Sequence, residues 1–371
     1  MRIAVLGGGH GGLYFAYLWQ KRHPDAQIEL FEQNPANATW GFGVVFSEQA
    51  LEFLSADDPE TVEAIAPHME SWKNITLSLR DETVDIDGVS FASIGRLKLL
   101  NILQRRLRDV GVTAHYQTQI QSVDQVENYD LVVAADGLNS LVRRTFEGDF
   151  GASLTYSSNK FAWYGTSKRF ETLSQTFVET DLGVFNAHHY RYSKAMSTFL
   201  VECDRATWQR YGFAYKTVEE SKAICERVFA HALDGHALIS NRSVWRNFPW
   251  LWNEHWSFKN MVLIGDALHT AHFSIGSGTR LAMEDVIALV KALEAERGDI
   301  PAALGRYQAE RKPIVEKLVV AARASADWYE KFPEHMKLDV MDLAFSYITR
   351  SGRIDLSRLR TMSPRFMAEY D

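Results

Sequence analysis

The pattern of hydrophobic residues changes twice within the first 32 positions. Arg2–Leu6 is mostly apolar and predicts a short buried strand. A run of five glycines and one histidine follows it. An apolar helix is predicted from Leu13, and Gln27–Phe31 predicts a second strand. Strand, glycine turn, helix and strand form a βαβ unit, so we expect the chain to build a parallel sheet.

The glycine turn of this unit has the spacing of a dinucleotide-binding fingerprint. Gly7 would allow the tight turn, Gly9 the approach of a pyrophosphate to the backbone, and Gly12 close packing of helix on strand. The pyrophosphate would lie at the positive end of the helix. Glu32, at the end of the second strand, would accept hydrogen bonds from a ribose diol. Any tight turn from strand to helix favours glycine, but the complete unit predicts a nucleotide site.

Two later apolar runs lack alternation, which favours central parallel strands covered on both faces. Tyr129–Ala135 leads into Asp136–Gly137, and Asn260–Ile264 leads into Gly265–Asp266. The following loop, residues 271–279, is rich in glycine and starts a helix. Its amides are therefore a second candidate cradle for an anion or a polar ring.

Arg96 is the candidate binding residue of the intervening segment. It opens a predicted helix, where a cation is disfavoured unless an anion is bound, so it is a candidate phosphate or ribityl contact. The alternative is an ordinary surface arginine. The other elements predicted here are a helix over 48–66, a hairpin over 75–91, a helix over 95–107, and strands over 113–117 and 122–125.

Alternation of apolar and polar residues dominates the middle of the chain. It predicts an antiparallel sheet that is rich in aromatic residues, followed by a helix over Thr217–Leu233. Trp163, Tyr164 and Phe185 are candidates for a ring pocket, although aromatic residues in a sheet more often belong to the core. The predicted strands cover residues 161–165, 174–179, 183–192 and 196–203.

Composition narrows the class of protein. The net charge of −7 over 371 residues argues against a nucleic-acid-binding surface, and the apolar runs are too short for a membrane span. Cys203 and Cys225 permit at most one disulfide and no cysteine metal site. Adjacent His188 and His189 point to opposite faces of a strand, so we predict no metal centre. A chain that opens on a strand leaves no room for a signal peptide, and we expect a cytoplasmic protein.

The motifs taken together resemble one family, the single-component flavin-dependent aromatic hydroxylases with the p-hydroxybenzoate hydroxylase fold. The glycine turn with Glu32 is similar to the family's FAD adenosine site, Asp136–Gly137 with Arg143 to its second motif, and Gly265–Asp266 to its third. The strings at residues 41–47, 163–166, 197–203 and 272–279 resemble the branch with salicylyl-CoA 5-hydroxylase and 2-aminobenzoyl-CoA monooxygenase. The tryptophan hydroxylase of violacein biosynthesis is a more distant relative. The chain departs from the family at His10–Gly11, where Pro-Ala is usual.

The resemblance implies FAD as the resident cofactor and NADH or NADPH as a transient reductant. In the family's cycle the reduced flavin adds O2 at C4a, and the resulting hydroperoxide transfers its distal oxygen to an electron-rich ring. The protein must exclude water from this site. The residues that we expect to bind the cofactor are Gly7, Gly9, Gly11, Gly12, Glu32, Gln33, Arg96, Ile120, Asp266, Gly276, Ser277, Gly278 and Thr279.

The resemblance also implies the fold class. We expect an α/β (α+β mixed) protein: a Rossmann-like FAD-binding domain with an inserted antiparallel-sheet substrate domain and C-terminal helices. The expected divisions are FAD-binding parts at 1–70, 95–153 and 251–300, a substrate-domain hairpin at 71–94, a substrate-binding sheet at 154–250, and a C-terminal helical region at 301–371.

The expected substrate is a small aromatic compound, either free or linked to CoA. A base would raise the electron density of a phenol or aniline, and His272, or His188 or His189 with Tyr190, are the candidates; a satisfied core histidine is the alternative for each. CoA phosphates would need arginines, either the tail group at 350, 353 and 358 or the pair at 242 and 246. We expect O2 as co-substrate, no nucleic-acid or membrane partner, and a monomer or homodimer. A free aromatic or indolic substrate is the first alternative, and a flavin-binding reductase or redox partner is the second.

Overall fold

A computed structural model describes residues 1–47, 52–276 and 278–371. The predicted helix over 48–66 begins outside these residues, and its described part forms two short helices. Cys203 and Cys225 are both buried and unbridged. No helix among the described residues has the length and apolar character needed to cross a bilayer.

The strands of the described residues are short, and most carry the apolar or alternating pattern expected from their sequence. In chain order they are β1 Arg2–Leu6, β2 Gln27–Glu32, β3 Gly43–Ser47, β4 Glu70–Trp72, β5 Ile75–Leu79, β6 Glu82–Ile86, β7 Phe91–Gly95, β8 Ala114–Tyr116, β9 Leu131–Ala134, β10 Ala152–Tyr156, β11 Lys160–Thr166, β12 Leu173–Thr180, β13 Gly183–Arg191, β14 Ser197–Cys203, β15 Leu238–Ser240, β16 Pro249–Asn253, β17 Ser257–Phe258 and β18 Met261–Leu263.

The helices range from a single turn to 31 residues. In chain order they are α1 His10–Arg22, α2 Glu52–Asp57, α3 Pro59–Ile65, α4 Arg96–Asp109, α5 Leu141–Thr145, α6 Glu147–Phe150, α7 Arg205–Arg210, α8 Val218–Val228, α9 Ala230–Leu233, α10 Gly278–Ala295, α11 Ile300–Glu330, α12 Phe332–His335, α13 Val340–Thr349, α14 Leu356–Met362 and α15 Pro364–Tyr370.

The first large sheet has the order β17-β18-β9-β1-β2-β8. All its pairings are parallel except that of β17 with β18. The central strands β1, β9 and β18 are buried almost throughout, as their unbroken apolar runs predict. The carboxyl ends of these three strands therefore open at one edge of the sheet, where ligands bind in open α/β folds.

The second large sheet has the order β15-β11-β14-β13-β12-β5-β6. Its pairings are antiparallel apart from β12 with β5, through which the predicted hairpin β5–β6 joins the edge. The mixed fold class is confirmed by these two sheets and by the comparisons below. The six divisions of the chain that we expect from the sequence stay a proposal.

The long helix α11 connects two parts of the core. Its first half packs with α1, α10 and the parallel sheet, through residues such as Leu304 and Tyr307. Its last turns carry Trp328 and Tyr329 into a second cluster that holds the hairpin β5–β6 and helices α13 to α15. The C-terminal helices therefore fold back on the edge of the second sheet.

Two local predictions are wrong. Residues 122–125 do not form a strand: Val123–Val126 is a short 3-10 turn, which Ser122 and Gln125 close with a reciprocal capping box. The predicted helix over Thr217–Leu233 is divided into α8 and α9 at Phe229, whose backbone leaves the helical region. At residues 122–125 side-chain capping favours a turn over the strand that the hydrophobic pattern predicts. At Phe229 the local backbone conformation ends the helix before the hydrophobic pattern does.

Candidate active site

One continuous cavity of about 1420 Å³ runs through the molecule. Its lining comes from the glycine turn, from strands β12 to β14 and from the C-terminal helices. Sites for a single small ligand commonly measure about 300–1,000 Å³, so the cavity has room for more than one bound group.

The glycine turn lies at the carboxyl end of β1. Gly7 has a φ of 100°, and a Cβ there would overlap the carbonyl of Ala135. A Cβ on Gly12 would overlap the carbonyl of Gly7, so helix α1 can start only if this position has no side chain. Gly9 has nothing within 4 Å of the position of a Cβ and faces the cavity. The three glycines therefore meet the geometric needs expected from their spacing.

The carboxylate of Glu32 is held beside this turn. Its Oε2 accepts a hydrogen bond from the backbone N–H of Gly8 at 2.7 Å, and its Oε1 accepts two from Asn34, also at 2.7 Å. Glu32, Gln33 and Asn34 all line the cavity. The side chain is thus oriented towards the cavity by backbone contacts before a ligand binds.

Arg143 joins the second and third motifs. Its guanidinium donates hydrogen bonds to the carbonyls of Leu138 and Ala267. Asp136 accepts from the N–H of Leu141 at 2.7 Å, while its Oδ1 is buried with no partner among the described residues. Burial raises the pKa of Asp136, although its hydrogen bonds oppose the shift. A polar atom without a partner on this wall is a ready contact for a ligand hydroxyl.

The third motif is anchored to helices α10 and α11 through Asp285. The Nε2 of His269 lies 2.9 Å from Asp285 Oδ2, which also accepts from the N–H of Gly265 at 3.1 Å. Arg311 Nε donates to the other carboxylate oxygen at 2.9 Å. Burial alone would raise the pKa of Asp285, but His269 and Arg311 together hold it below its usual value. This network positions the Gly265–Asp266 loop at the cavity.

Asp266 and Arg96 line the same part of the cavity. Burial raises the pKa of Asp266, and the positive charge of Arg96 partly opposes this shift. Arg96 is the first residue of α4, as predicted, and its Nε donates to Thr39 Oγ1 at 3.1 Å. A cation therefore stands at a helix start beside a carboxylate, both facing the space next to the glycine turn.

A chain of hydrogen bonds forms the polar wall in the middle of the cavity. The Tyr329 hydroxyl donates to Gln175 Oε1 at 3.2 Å, and Gln175 Nε2 lies 3.1 Å from His188 Nδ1. Because an amide nitrogen can only donate, Nδ1 accepts and Nε2 carries the proton. Nε2 lies 3.4 Å from Oε2 of Glu202, whose Oε1 accepts from Asn159 at 2.8 Å. His188 and Gln175 are the members that line the cavity.

Burial keeps both ionisable members of this chain neutral. It lowers the pKa of His188 to about 3, with a smaller contribution from the positive charge of Arg350. It raises the pKa of Glu202 to about 8, against the hydrogen bond from Asn159. At pH 7 the cavity wall therefore presents a neutral imidazole whose accepting nitrogen, Nδ1, is held by Gln175.

The other predicted histidines do not lie on the wall. His189 faces the opposite side of β13, where its ring stacks on Phe199 with centroids 5.0 Å apart. His272 Nδ1 lies 2.8 Å from Ser274 Oγ and accepts from the Ser274 N–H, and its ring packs on Phe248. Both positions favour a structural role over direct contact with a substrate.

The aromatic candidates divide in the same way. Trp163 and Tyr190 line the cavity, and the Tyr190 hydroxyl donates to the carbonyl of Gly43 at 3.0 Å. Tyr164 and Phe185 lie in the hydrophobic core on the other face of the sheet. Alternation along a strand separates the two groups.

Comparison with known proteins identifies the family. The family described as "FAD binding domain" matches residues 91–322. Salicyloyl-CoA 5-hydroxylase of a Streptomyces species is 40% identical over 95% of this chain and 70% of its own length. The chain belongs to the FAD-binding monooxygenase family. A Streptosporangium sibiricum 5-monooxygenase of 3-hydroxy-4-methyl-anthranilyl-[aryl-carrier protein] is 36% identical over 97% of each chain.

A solved structure shows the same fold. PqsL of Pseudomonas aeruginosa, crystallised with 2-aminobenzoylacetate, has a TM-score of 0.71 at 19% identity, over 94% of this chain and 100% of its own. The resemblance inferred from the sequence motifs is thereby confirmed at the levels of family, fold and FAD. The assignment of FAD contacts to individual residues stays a proposal.

The described residues of this FAD-binding monooxygenase fit the flavin nucleotide. The open backbone at Gly9, the oriented carboxylate of Glu32 and the orphaned Oδ1 of Asp136 face one elongated space. Of the predicted contacts, Gly12 lies behind the turn and Ser277 lies outside the described residues. The remaining predicted contacts all line the cavity: Gly7, Gly9, Gly11, Glu32, Gln33, Arg96, Ile120, Asp266, Gly276, Gly278 and Thr279.

Sequence reasoning missed Glu202 and Gln175, the two side chains that hold His188. The available signal for Glu202 was a carboxyl group in a strand with no other charged residue, since such a residue is rarely buried without a partner. Gln175 gave no comparable signal. Only the register of β12, β13 and β14 brings both residues to His188.

Proposed function

We propose that this protein is an NAD(P)H-using, FAD-dependent monooxygenase that hydroxylates an aromatic ring carried as a thioester, with aryl-CoA such as salicylyl-CoA as the first candidate. The observation that supports this most directly is the continuous cavity. It joins a dinucleotide turn to an interior wall with a neutral histidine and aromatic side chains. O2 would be the co-substrate.

When bound, FAD supplies the electron transfer and oxygen activation that no side chain provides. Glu32 would hold the ribose, the amides around Gly9 and the start of α1 the pyrophosphate, and Asp266 with Arg96 the ribityl chain. The amides of Gly276, Gly278 and Thr279 would face the polar edge of the ring system. Each well-aimed donor is worth about 2–4 kcal/mol of electrostatic stabilisation.

The substrate ring would lie against the wall of the second sheet. His188 could accept the proton of a ring hydroxyl or amine only at Nδ1, so the substrate would have to displace the Gln175 amide from that atom, and this transfer would raise the electron density of the ring. Tyr190 and Trp163 would pack on the ring and keep water out. The side chain of His272 would support the loop beside them.

The thioester is favoured by the relatives. One is named for an aryl-CoA substrate and the other for an aryl group on a carrier protein. A free aromatic acid or an indole such as tryptophan would need only the middle of the cavity. The additional lining that the C-terminal helices supply therefore favours a substrate with a long carrier arm.

The test is incorporation of labelled O2. FAD-loaded protein with NADH or NADPH would be assayed on salicylyl-CoA, salicylate and tryptophan, with products analysed by mass spectrometry. We expect one labelled oxygen atom in the aryl-CoA product. Failure to take up FAD would refute the cofactor assignment, and absence of label from every aromatic product would favour a reductase or redox partner. Equal turnover of free salicylate would reject the thioester requirement.

A further inference from the structure

Two exposed arginines at the C-terminal end of the cavity have no ion-pair partner among the described residues. Arg353 and Arg358 both line the cavity and lie just before and within α14. Arg358 makes one long hydrogen bond of 3.5 Å to the carbonyl of Arg353. Unpaired guanidinium groups at a cavity mouth are suited to a phosphate, which they can bind through two parallel hydrogen bonds.

The neighbouring arginines are already paired. Arg360 contacts Asp371 at 2.9 Å and Arg365 contacts Asp87 at 3.6 Å, and neither lines the cavity. Arg350 lines it, but its guanidinium donates to Ser325, Tyr347 and Ser274. Among these C-terminal arginines, Arg353 and Arg358 are therefore the ones that both line the cavity and keep their guanidinium groups free of an ion pair within the described residues.

The alternative arginine pair predicted from the sequence occupies another part of the molecule. The guanidinium of Arg242 stacks over Trp40, 3.7 Å from the ring centroid. The backbone of Arg246 pairs with Phe161 in a β-bridge. Neither arginine lines the cavity.

Apolar side chains from the hairpin β5–β6, β12 and the C-terminal helices line the cavity together with the two arginines. A neutral, flexible chain would fit there, whereas an ionised group would lose its hydration without compensation. The pantetheine arm of a thioester is such a chain, neutral between its sulfur and its phosphate. The apolar residues of this lining include Ile75, Val89, Leu173, Ile348, Ile354 and Met362.

We propose that Arg353 and Arg358 bind the phosphate at the end of a pantetheine arm whose aryl thioester reaches into the cavity. This proposal rests on the proposed function and assigns the position of its substrate's carrier. The same phosphate occurs in coenzyme A and on the phosphopantetheine serine of a carrier protein. The shared ligand chemistry is therefore a phosphopantetheine thioester.

Kinetics with matched thioesters test the site. We would compare wild type with Arg353→Gln/Arg358→Gln, using salicylyl-CoA, salicylyl loaded on a holo aryl-carrier protein, and phosphate-free salicylyl-pantetheine. The double variant should raise KM for phosphate-bearing substrates about tenfold or more with little change in kcat. KM for salicylyl-pantetheine should not change. A shift confined to the CoA substrate or to the carrier-protein substrate identifies the source of the phosphate.

Arg360→Gln/Arg365→Gln is the matched control, because it removes the same charge from the same region away from the cavity. An equal KM shift in the control, or an equal shift with salicylyl-pantetheine, would overturn the proposal. Calorimetric titration of the FAD-loaded protein with free CoA separates the two hypotheses. If wild type binds CoA and the double variant does not, the phosphate site is upheld even when no hydroxylation is detected. If the double variant hydroxylates salicylyl-CoA with an unchanged KM, the proposed function is upheld and the phosphate site is rejected.

Discussion

Glu202 carries a carboxyl group on a strand whose residues are all buried. Its Oε1 accepts a hydrogen bond from Asn159, and its Oε2 lies 3.4 Å from His188 Nε2, but neither neighbour is a cation. The neutral acid is therefore the stable form inside the fold. A residue type that is usually charged thus contributes a neutral support for the histidine on the cavity wall.

Glu202→Gln should remove one component of the pH dependence of stability. The pKa of Glu202 is about 8 in the folded protein, above its value in the unfolded chain. Between about pH 4.5 and 8 the unfolded chain therefore binds fewer protons than the folded protein, and the free energy of unfolding falls as pH rises. For this group the slope is at most about 1.4 kcal/mol per pH unit. Urea unfolding at pH 5 and pH 8 should show a smaller loss in the variant. The surface variant Glu219→Gln should behave as wild type, and an unchanged slope in Glu202→Gln would contradict the assignment.

Helix α1 depends on two glycines in different ways. Its residues from Gly12 to Trp19 are all buried between the sheet and neighbouring helices, so its start cannot move outward to accept a side chain. Gly12 faces the carbonyl of Gly7 across the turn. Gly11 has more room, since a Cβ there would lie 3.6 Å from Ala282 Cβ, an ordinary contact distance.

Gly12→Ala should therefore weaken both the fold and FAD binding, whereas Gly11→Ala should be tolerated. Overpacking at Gly12 is expected to cost about 1–3 kcal/mol of unfolding free energy and to displace the turn that meets the pyrophosphate. Both substitutions raise helix propensity equally, so the pair isolates the steric effect. Urea unfolding of the FAD-free proteins and FAD titration by flavin fluorescence would measure the two effects. Equal behaviour of the two variants would refute the steric explanation.

Across the described part of the chain, burial keeps several histidines neutral, including His10, His188, His189 and His272. Burial lowers the pKa values of His10, His188 and His189 to about 3. Their unfolded pKa is about 6.5, so between about pH 3 and 6.5 the unfolded state binds more protons and stability rises with pH. Above about pH 4.5 the opposite effect of Glu202 offsets part of this rise in stability. The three histidines together have the larger effect, because Glu202 is a single group.

Acidification from pH 7 to pH 4.5 should consequently destabilise the protein. Each histidine contributes at most about 1.4 kcal/mol per pH unit, a slope that can be read from urea unfolding across this range. His189→Gln, on the face away from the cavity, should reduce the slope even if it lowers stability at pH 7. The exposed His231→Gln is the control. A slope in His189→Gln equal to that of wild type would show that His189 titrates normally.

The sequence by itself determined the features that depend on neighbours along the chain. The βαβ unit, the helix that Arg96 opens and the aromatic sheet follow from local periodicity and from the steric demands of Gly7 and Gly12. Three spaced motifs were enough to indicate the flavin family. Where a local capping box competed with periodicity, as at Ser122, the strand prediction was wrong.

Only the tertiary structure decided which distant side chains meet. Strand register brings Glu202 to His188, and the packing of α13 to α15 on the hairpin brings Arg353 to the same cavity as Gly9. It also places His188 on the cavity wall and His272 off it, although the two looked equivalent in the sequence. Contacts between residues far apart in the chain arise when buried apolar faces pack together, and the position of a single polar residue in the sequence carries no record of them.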